Sequence, residues 1–189
     1  MSGHRFKPEN ADKLLSDDRK QRLPYDQVID RLALDPNDVV ADLGAGNGYF
    51  TIPMANHTEE TVYAVDIELK MLEMLKKRAK ETHVENIEYV NSDLETIPMD
   101  DHSIDKVLIA FVIHEVPSVV NTLNEIKRIL KPGGTVMVIE WEAVESEDGP
   151  PLHERLASKE LMKVLQDHGF QATPYQLNAI NYAIEATVN

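Results

Sequence analysis

The sequence predicts an α/β fold: a doubly wound, mostly parallel sheet with helices on both faces and an antiparallel hairpin at the C-terminal end. Three observations carry this. From residue 39 onward short apolar runs alternate with segments of helical periodicity, and strands apolar throughout belong to parallel sheets covered on both sides. A glycine-rich turn over residues 44–48 leads from the first of these runs into a helix. The chain closes on two β-like stretches with only a short link between them, which reads as a hairpin.

The elements follow in order. Two helical patterns open the chain, one from about Asn10 to Leu23 and one after Pro24 that aligns Tyr25, Val28, Ile29 and Leu32. Asp35-Pro36-Asn37-Asp38 ends the second with turn chemistry. Residues 39–43 (VVADL) read as a buried strand, 48–56 as a short helix and 61–66 (TVYAVD) as a second strand. Leu69, Leu72, Leu75 and Ala79 mark one face of the next helix, and 87–90 and 104–112 are further strands. Val119, Leu123, Ile126 and Leu130 recur at helical spacing, with Ser118 as N-cap and Pro132-Gly133-Gly134 as the stop. Residues 135–141 (TVMVIEW) form another strand. A helix from Ser158 to His168 closes at Gly169, and the hairpin takes 170–176 and 179–188. One domain over 1–189 accommodates this pattern, with 1–34 as N-terminal helices and a candidate lid, and 35–189 as the core.

Composition narrows the function classes. No apolar run approaches the roughly 18 residues that span a bilayer, and the polar start MSGHRFKPEN lacks a signal peptide's apolar core, so a cytoplasmic protein is expected. Without cysteine there is no disulfide, thiolate metal site or cysteine nucleophile. The net charge of −14, with 33 acidic against 19 basic residues, disfavours nucleic acid as a partner. The densest basic run, Lys76-Lys77-Arg78 with Lys80, lies on a helix among acids and reads as a solvated face.

The strongest chemical signal is Asp42-Leu43-Gly44-Ala45-Gly46-Asn47-Gly48, directly after a strand and opening a helix. Glycine lets the backbone turn sharply there and approach a ligand without a Cβ in the way. Asp66, at the end of the next strand, is placed to accept hydrogen bonds from both hydroxyls of a ribose. A dinucleotide loop wants its third glycine at position 49, which is Tyr49; the third glycine instead falls at Gly48, which argues against an NAD-dependent oxidoreductase.

These motifs resemble the class I S-adenosylmethionine-dependent methyltransferases, in particular the ubiquinone/menaquinone-biosynthesis type, over roughly residues 25–188. The resemblance implies a Rossmann-like, seven-stranded sheet whose last strand is antiparallel. It also implies that Asp42 steers the methionine ammonium and that Gly44, Ala45, Gly46 and Gly48 lie against the methionine portion. Asp66 with Ile67 takes the ribose, and Asp93 with Leu94 in NSDLETIP contacts the adenine. The segment KPGGTVMVIEW resembles the family's fifth-strand signature. S-adenosyl-L-methionine is the expected cofactor and S-adenosyl-L-homocysteine the product.

Ligands of open α/β sheets bind beyond the carboxyl ends of the strands. Phe111, placed here against the cofactor, and His114-Glu115 follow the fourth strand, and Trp141 ends the fifth. His114 and Glu115 are the candidate catalytic residues: His114 is either the general base or a lining group, since imidazole titrates near neutrality. Phe6 and Arg155 join Trp141 as candidate acceptor contacts. Arg155 would face an anionic acceptor or pair with Glu142. AFVIHEVP lacks the Asn/Asp-Pro-Pro-Tyr signature of nucleic-acid amino-methylating enzymes, and no carboxylate spacing marks a metal site, so no metal is expected. The resulting expectation is methyl transfer to a small-molecule acceptor. RNA or protein methylation, and a cofactor-binding module without turnover, are the alternatives.

Overall fold

In a computed structural model of the protein the described residues are 8–188. Seven strands form one sheet in the order β3-β2-β1-β4-β5-β7-β6. They are β1 (Val40–Leu43), β2 (Val62–Asp66), β3 (Ile87–Asn91), β4 (Ile104–Ala110), β5 (Leu130–Trp141), β6 (Phe170–Gln176) and β7 (Asn181–Val188). Strands β3 to β5 pair in parallel, and β7 runs antiparallel to both β5 and β6. The architecture is the Rossmann-like fold expected, terminal hairpin included.

The helices are α1 (Asp17–Arg22), α2 (Tyr25–Leu32), α3 (Thr51–Ala55), α4 (Leu69–Glu81), α5 (Val119–Ile129) and α6 (Ser158–Asp167). The pleat sends alternate strand residues to opposite faces, so two apolar layers result. On one, Leu43, Val107, Ile109 and Val138 pack with Leu123 and Ile126 of α5 and Leu161 and Leu165 of α6. On the other, Val40, Val62, Leu108 and Met137 pack with Ile29 of α2, Met54 of α3 and Leu72 and Leu75 of α4. Between β1 and β4 the winding changes direction, which opens a crevice at the carboxyl ends of the strands.

Three local expectations change. The first N-terminal helix is broken: a 3₁₀ segment Pro8–Leu15 gives way at Ser16, whose Oγ accepts the Arg19 N–H at 3.3 Å and starts α1 afresh. Leu69 is exposed at the start of α4, and Met71 is buried beside Leu72 and Leu75 instead. The Pro-Gly-Gly segment is a bulge inside β5, because Leu130 already pairs with Ile104 before the register shifts to Lys106–Thr135. Ser118 caps α5 as expected, accepting from the Asn121 N–H.

Gly48 shows how tightly the loop seats on α4. Its φ is +86°, and a Cβ there would lie 2.0 Å from Cδ1 of the buried Leu75. Gly133 has a similar φ of +78° with nothing within 4 Å. Gly48→Ala is therefore expected to reduce unfolding free energy by about 2–4 kcal/mol, left-handed strain and overpacking together. Gly133→Ala carries the strain alone, about 1–2 kcal/mol. Urea unfolding of both variants checks the difference, and equal losses would mean that Gly48 does not set the packing.

Candidate active site

The crevice is a cavity of about 1020 Å³ bordered by the ends of β1, β2, β4 and β5. Its floor is the glycine turn. Gly44 and Ala45 donate their N–H groups to Val65 O of β2 at 2.8 and 3.0 Å, and Gly46 N–H donates to Asp66 Oδ2 at 2.7 Å. A Cβ on Gly44 would strike Val112 at 2.2 Å. On Gly46 it would meet, among the described residues, only Leu14 Cδ1, at 3.4 Å, on the cavity side of the turn. Gly48 does not line the cavity; its place is the contact with Leu75.

Two acids flank this turn. Asp42 is buried and accepts a hydrogen bond from the Thr51 hydroxyl at 2.5 Å. Burial pushes its carboxyl up to about 7; the Thr51 bond opposes the rise and the nearby Asp66 charge adds to it. Asp66 accepts from Gly46 N–H and, through Oδ1, from Glu68 N–H at 2.8 Å. Ile67 lies beside it at the cavity. Asp93 is exposed at the far wall, with Oδ1 accepting the Glu95 and Thr96 N–H groups and buried Leu94 next to it.

At the other end His114 and Glu115 line the cavity together with Phe111 and Trp141. His114 Nδ1 lies 2.9 Å from both carboxylate oxygens of Glu140, which is fully buried in β5. Glu140 also accepts the backbone N–H of His114 at 3.3 Å and of Trp141 at 3.0 Å. An ionised partner at Nδ1 demands the Nδ1–H tautomer, which leaves Nε2 as the basic nitrogen, 3.8 Å from Glu115. Burial works to lower the His114 value, but the Glu140 hydrogen bond and charge outweigh it, helped by Glu115 and Glu154, and the net direction is up. That stabilisation is present below the ordinary imidazole value and lost as pH rises through the raised one. Phe111 holds a φ of +61°, a rare conformation for an aromatic residue, with its ring 5.2 Å from that of Trp141.

Two segments cover the cavity. From one side come Leu14, Ser16, Asp18, Arg19, Arg22 and Leu23. From the other comes the acidic loop 142–151, where a Cβ on Gly149 would sit 2.7 Å from the Trp141 ring. They meet in an ion pair, Arg22–Asp148 at 2.5 Å. Phe6, expected at the acceptor, lies outside the described residues. Arg155 is a correction. Its guanidinium donates to the carbonyls of Pro150, Val144 and Asp148, so it braces the loop away from the main cavity. Glu142 instead accepts from the Ala143 and Ser158 N–H groups. Sequence reasoning missed two residues. Glu140 was detectable as the one acid inside the apolar run VMVIEW. Arg19 lies in the polar stretch DDRKQR, where no periodicity points to a cavity.

The sheet, the glycine turn and the acids at the ends of β1 and β2 define a class I, Rossmann-like nucleoside-binding protein. Residues 41–138 match the methyltransferase domain family, and the chain belongs to that family. It is 32% identical over 117 residues to the demethylmenaquinone methyltransferase of Staphylococcus saprophyticus, covering 60% of this chain and 49% of that protein. It is 37% identical over 103 residues to the ubiquinone/menaquinone biosynthesis C-methyltransferase UbiE of Brucella abortus, covering 54% of this chain and 38% of that one. The chain thus spans about half the length, or less, of these relatives. A crystal structure of a SAM-dependent methyltransferase from Aquifex aeolicus superposes with a TM-score of 0.92 at 25% identity, covering 98% of this chain and 100% of that one. The residues present fit S-adenosylmethionine, the cofactor of this class. A buried carboxylate with no ion pair among the described residues faces the cavity at Asp42, a second acid sits at the β2 end, and among those residues the turn leaves space above Gly46.

Glu140→Gln tests the electrostatics. Removing the charge should make His114 titrate at lower pH than in the wild type, as followed by NMR of its ring signals. An unchanged midpoint would mean that Glu140 does not set the imidazole.

Proposed function

We propose that this protein is an S-adenosylmethionine-dependent methyltransferase that acts on a small-molecule acceptor, with His114 taking the acceptor's proton. The observation that carries the reading is the His114–Glu140 pair, which faces the same cavity as the glycine turn and its two acids. Bound S-adenosylmethionine supplies a methyl group already activated on a sulfonium. The chain's own residues then have two tasks, alignment of the acceptor and removal of its proton. Phe111 and Trp141 offer flat apolar surface to the acceptor. Nε2 of His114 receives the proton, and Glu140 stabilises the imidazolium that forms. Asp42 takes a cationic group, Asp66 the ribose hydroxyls and Asp93 the adenine edge. Glu115, close to Nε2, orients the acceptor's acidic hydroxyl.

The names of the relatives suggest an aromatic acceptor of the quinol type, and the Phe111–Trp141 wall suits a planar ring. The high negative charge favours such a molecule over nucleic acid. Among the described residues no helix is long and apolar enough to cross a membrane, in keeping with an enzyme working in the cytoplasm.

Release of S-adenosylhomocysteine over a panel of naphthoquinols, benzoquinols and simple phenols tests the reading. Wild type should turn over at least one quinol. His114→Ala should lower kcat about 100-fold or more on it, with S-adenosylhomocysteine affinity unchanged. Binding of S-adenosylmethionine without release on any acceptor would instead identify a binding module.

A further inference from the structure

Asn181 opens β7 directly opposite Trp141 of β5, so the two side chains leave the sheet on the same face. Along the strand ends the order is Phe111 after β4, Trp141 at the end of β5 and Asn181 beyond it on β7. All three border the cavity. Asn181 is only 4% exposed, and its Nδ2 is buried without a hydrogen-bond partner.

The turn between β6 and β7 decides which way this amide faces. Asn178 Oδ1 accepts the backbone N–H groups of Ile180 and Asn181, both at 3.0 Å. A backbone N–H can only donate, so the place of the Asn178 oxygen is fixed and its Nδ2 must donate. It does so to Arg22 O and to Asn181 Oδ1, each at 3.1 Å. The oxygen of Asn181 is thereby held towards Asn178, and its two N–H donors are left on the other side of the amide. The hairpin uses the oxygen alone, which an aspartate would supply equally well. A buried donor with no acceptor costs stability, so the amide nitrogen is a group that a ligand of the cavity completes.

We propose that Asn181 is a specificity residue for the methyl acceptor, donating from Nδ2 to an acceptor oxygen other than the one whose proton goes to His114. This rests on the acceptor reading above. Phe111 and Trp141 offer a flat apolar wall, His114 serves one oxygen, and the Asn181 amide offers donors to a second. An aromatic acceptor with two ring oxygens satisfies both groups, whereas one with a single hydroxyl leaves one of them unmatched. Residue 181 lies outside 41–138, the part that matches the methyltransferase domain family, so this discrimination resides in the C-terminal hairpin.

Calorimetric titration of the protein saturated with S-adenosylhomocysteine, a complex with no methyl group to transfer, tests it. The ligands are 1,4-dihydroxynaphthalene, kept anaerobic, and 1-naphthol. Wild type should prefer the diol by about fivefold or more, the scale of one hydrogen bond to a buried donor otherwise left unmade. Asn181→Asp keeps the oxygen that Asn178 needs and removes the donors; Asn181→Leu removes both at similar size. Each should bring the diol down to the level of 1-naphthol, with 1-naphthol and S-adenosylhomocysteine within about twofold of wild type. In turnover both variants should raise KM for the diol and change kcat by less than about threefold, unlike His114→Ala. The proposal is overturned if wild type binds the two naphthalenes equally, a criterion that needs no variant to fold, or if the variants weaken both alike. Binding of neither naphthalene to the wild-type complex overturns the proposal together with the acceptor reading, whereas equal binding leaves that reading standing.

Discussion

The backbone bonds that tie the glycine turn to β2 are the interaction on which the site depends. Gly44 and Ala45 both donate to Val65 O, and Gly46 donates to the Asp66 carboxylate. These bonds hold the end of β1 against the end of β2 and commit the turn to positive φ at Gly44, Gly46 and Gly48. Asp42 and Asp66 are thereby brought close enough for their charges to interact. A fold that only needed a tight crossover would not place two acids there. Two neighbouring carboxylates, one of them fully enclosed, are a destabilising arrangement until a ligand supplies a cation and hydroxyl donors.

The opposite end of the cavity is built on the same logic with different parts. Strand β5 carries Glu140 inside its apolar run, where it would be an uncompensated charge without its three donors. Those donors are the His114 ring, the His114 N–H and the Trp141 N–H, so one buried carboxylate fixes both the loop after β4 and the end of β5. The left-handed backbone at Phe111 is held between them, with its N–H bonded to Ile139 O at 2.8 Å. Over this floor, α1 and the loop 142–151 close through Arg22 and Asp148, and Arg155 keeps the loop in shape through three carbonyls. The cavity is enclosed by segments that are distant in sequence.

That distribution explains what the sequence made legible. Asp42, the glycines and Asp66 stand at strand ends a short distance apart in the chain, and their spacing reports geometry directly. The sheet, its hairpin and the Ser118 cap follow from equally local patterns. Periodicity could not separate Leu69, which starts α4 and faces solvent, from the buried face below it. Nor did it register that Ser16 followed by two aspartates is itself a helix start. Arg155 was read as facing an anionic acceptor or pairing with Glu142, because side-chain charge is visible in a sequence and backbone carbonyls are not. Arg19 and Glu140 act across the fold, on Tyr49 and Phe111 in one case and on His114 in the other. Only the closed structure brings those partners together.

If Asp42 is enclosed to await a cation, binding must be linked to its ionisation. Burial raises the ligand-free carboxyl to about 7, and an ammonium seated against it favours the ionised form. Calorimetry of S-adenosylhomocysteine binding in two buffers of different ionisation enthalpy counts the protons exchanged. The expected result is net proton release on binding at pH 7, shrinking as pH rises and absent in Asp42→Asn. Tight binding with no Asp42-dependent proton release would contradict the account.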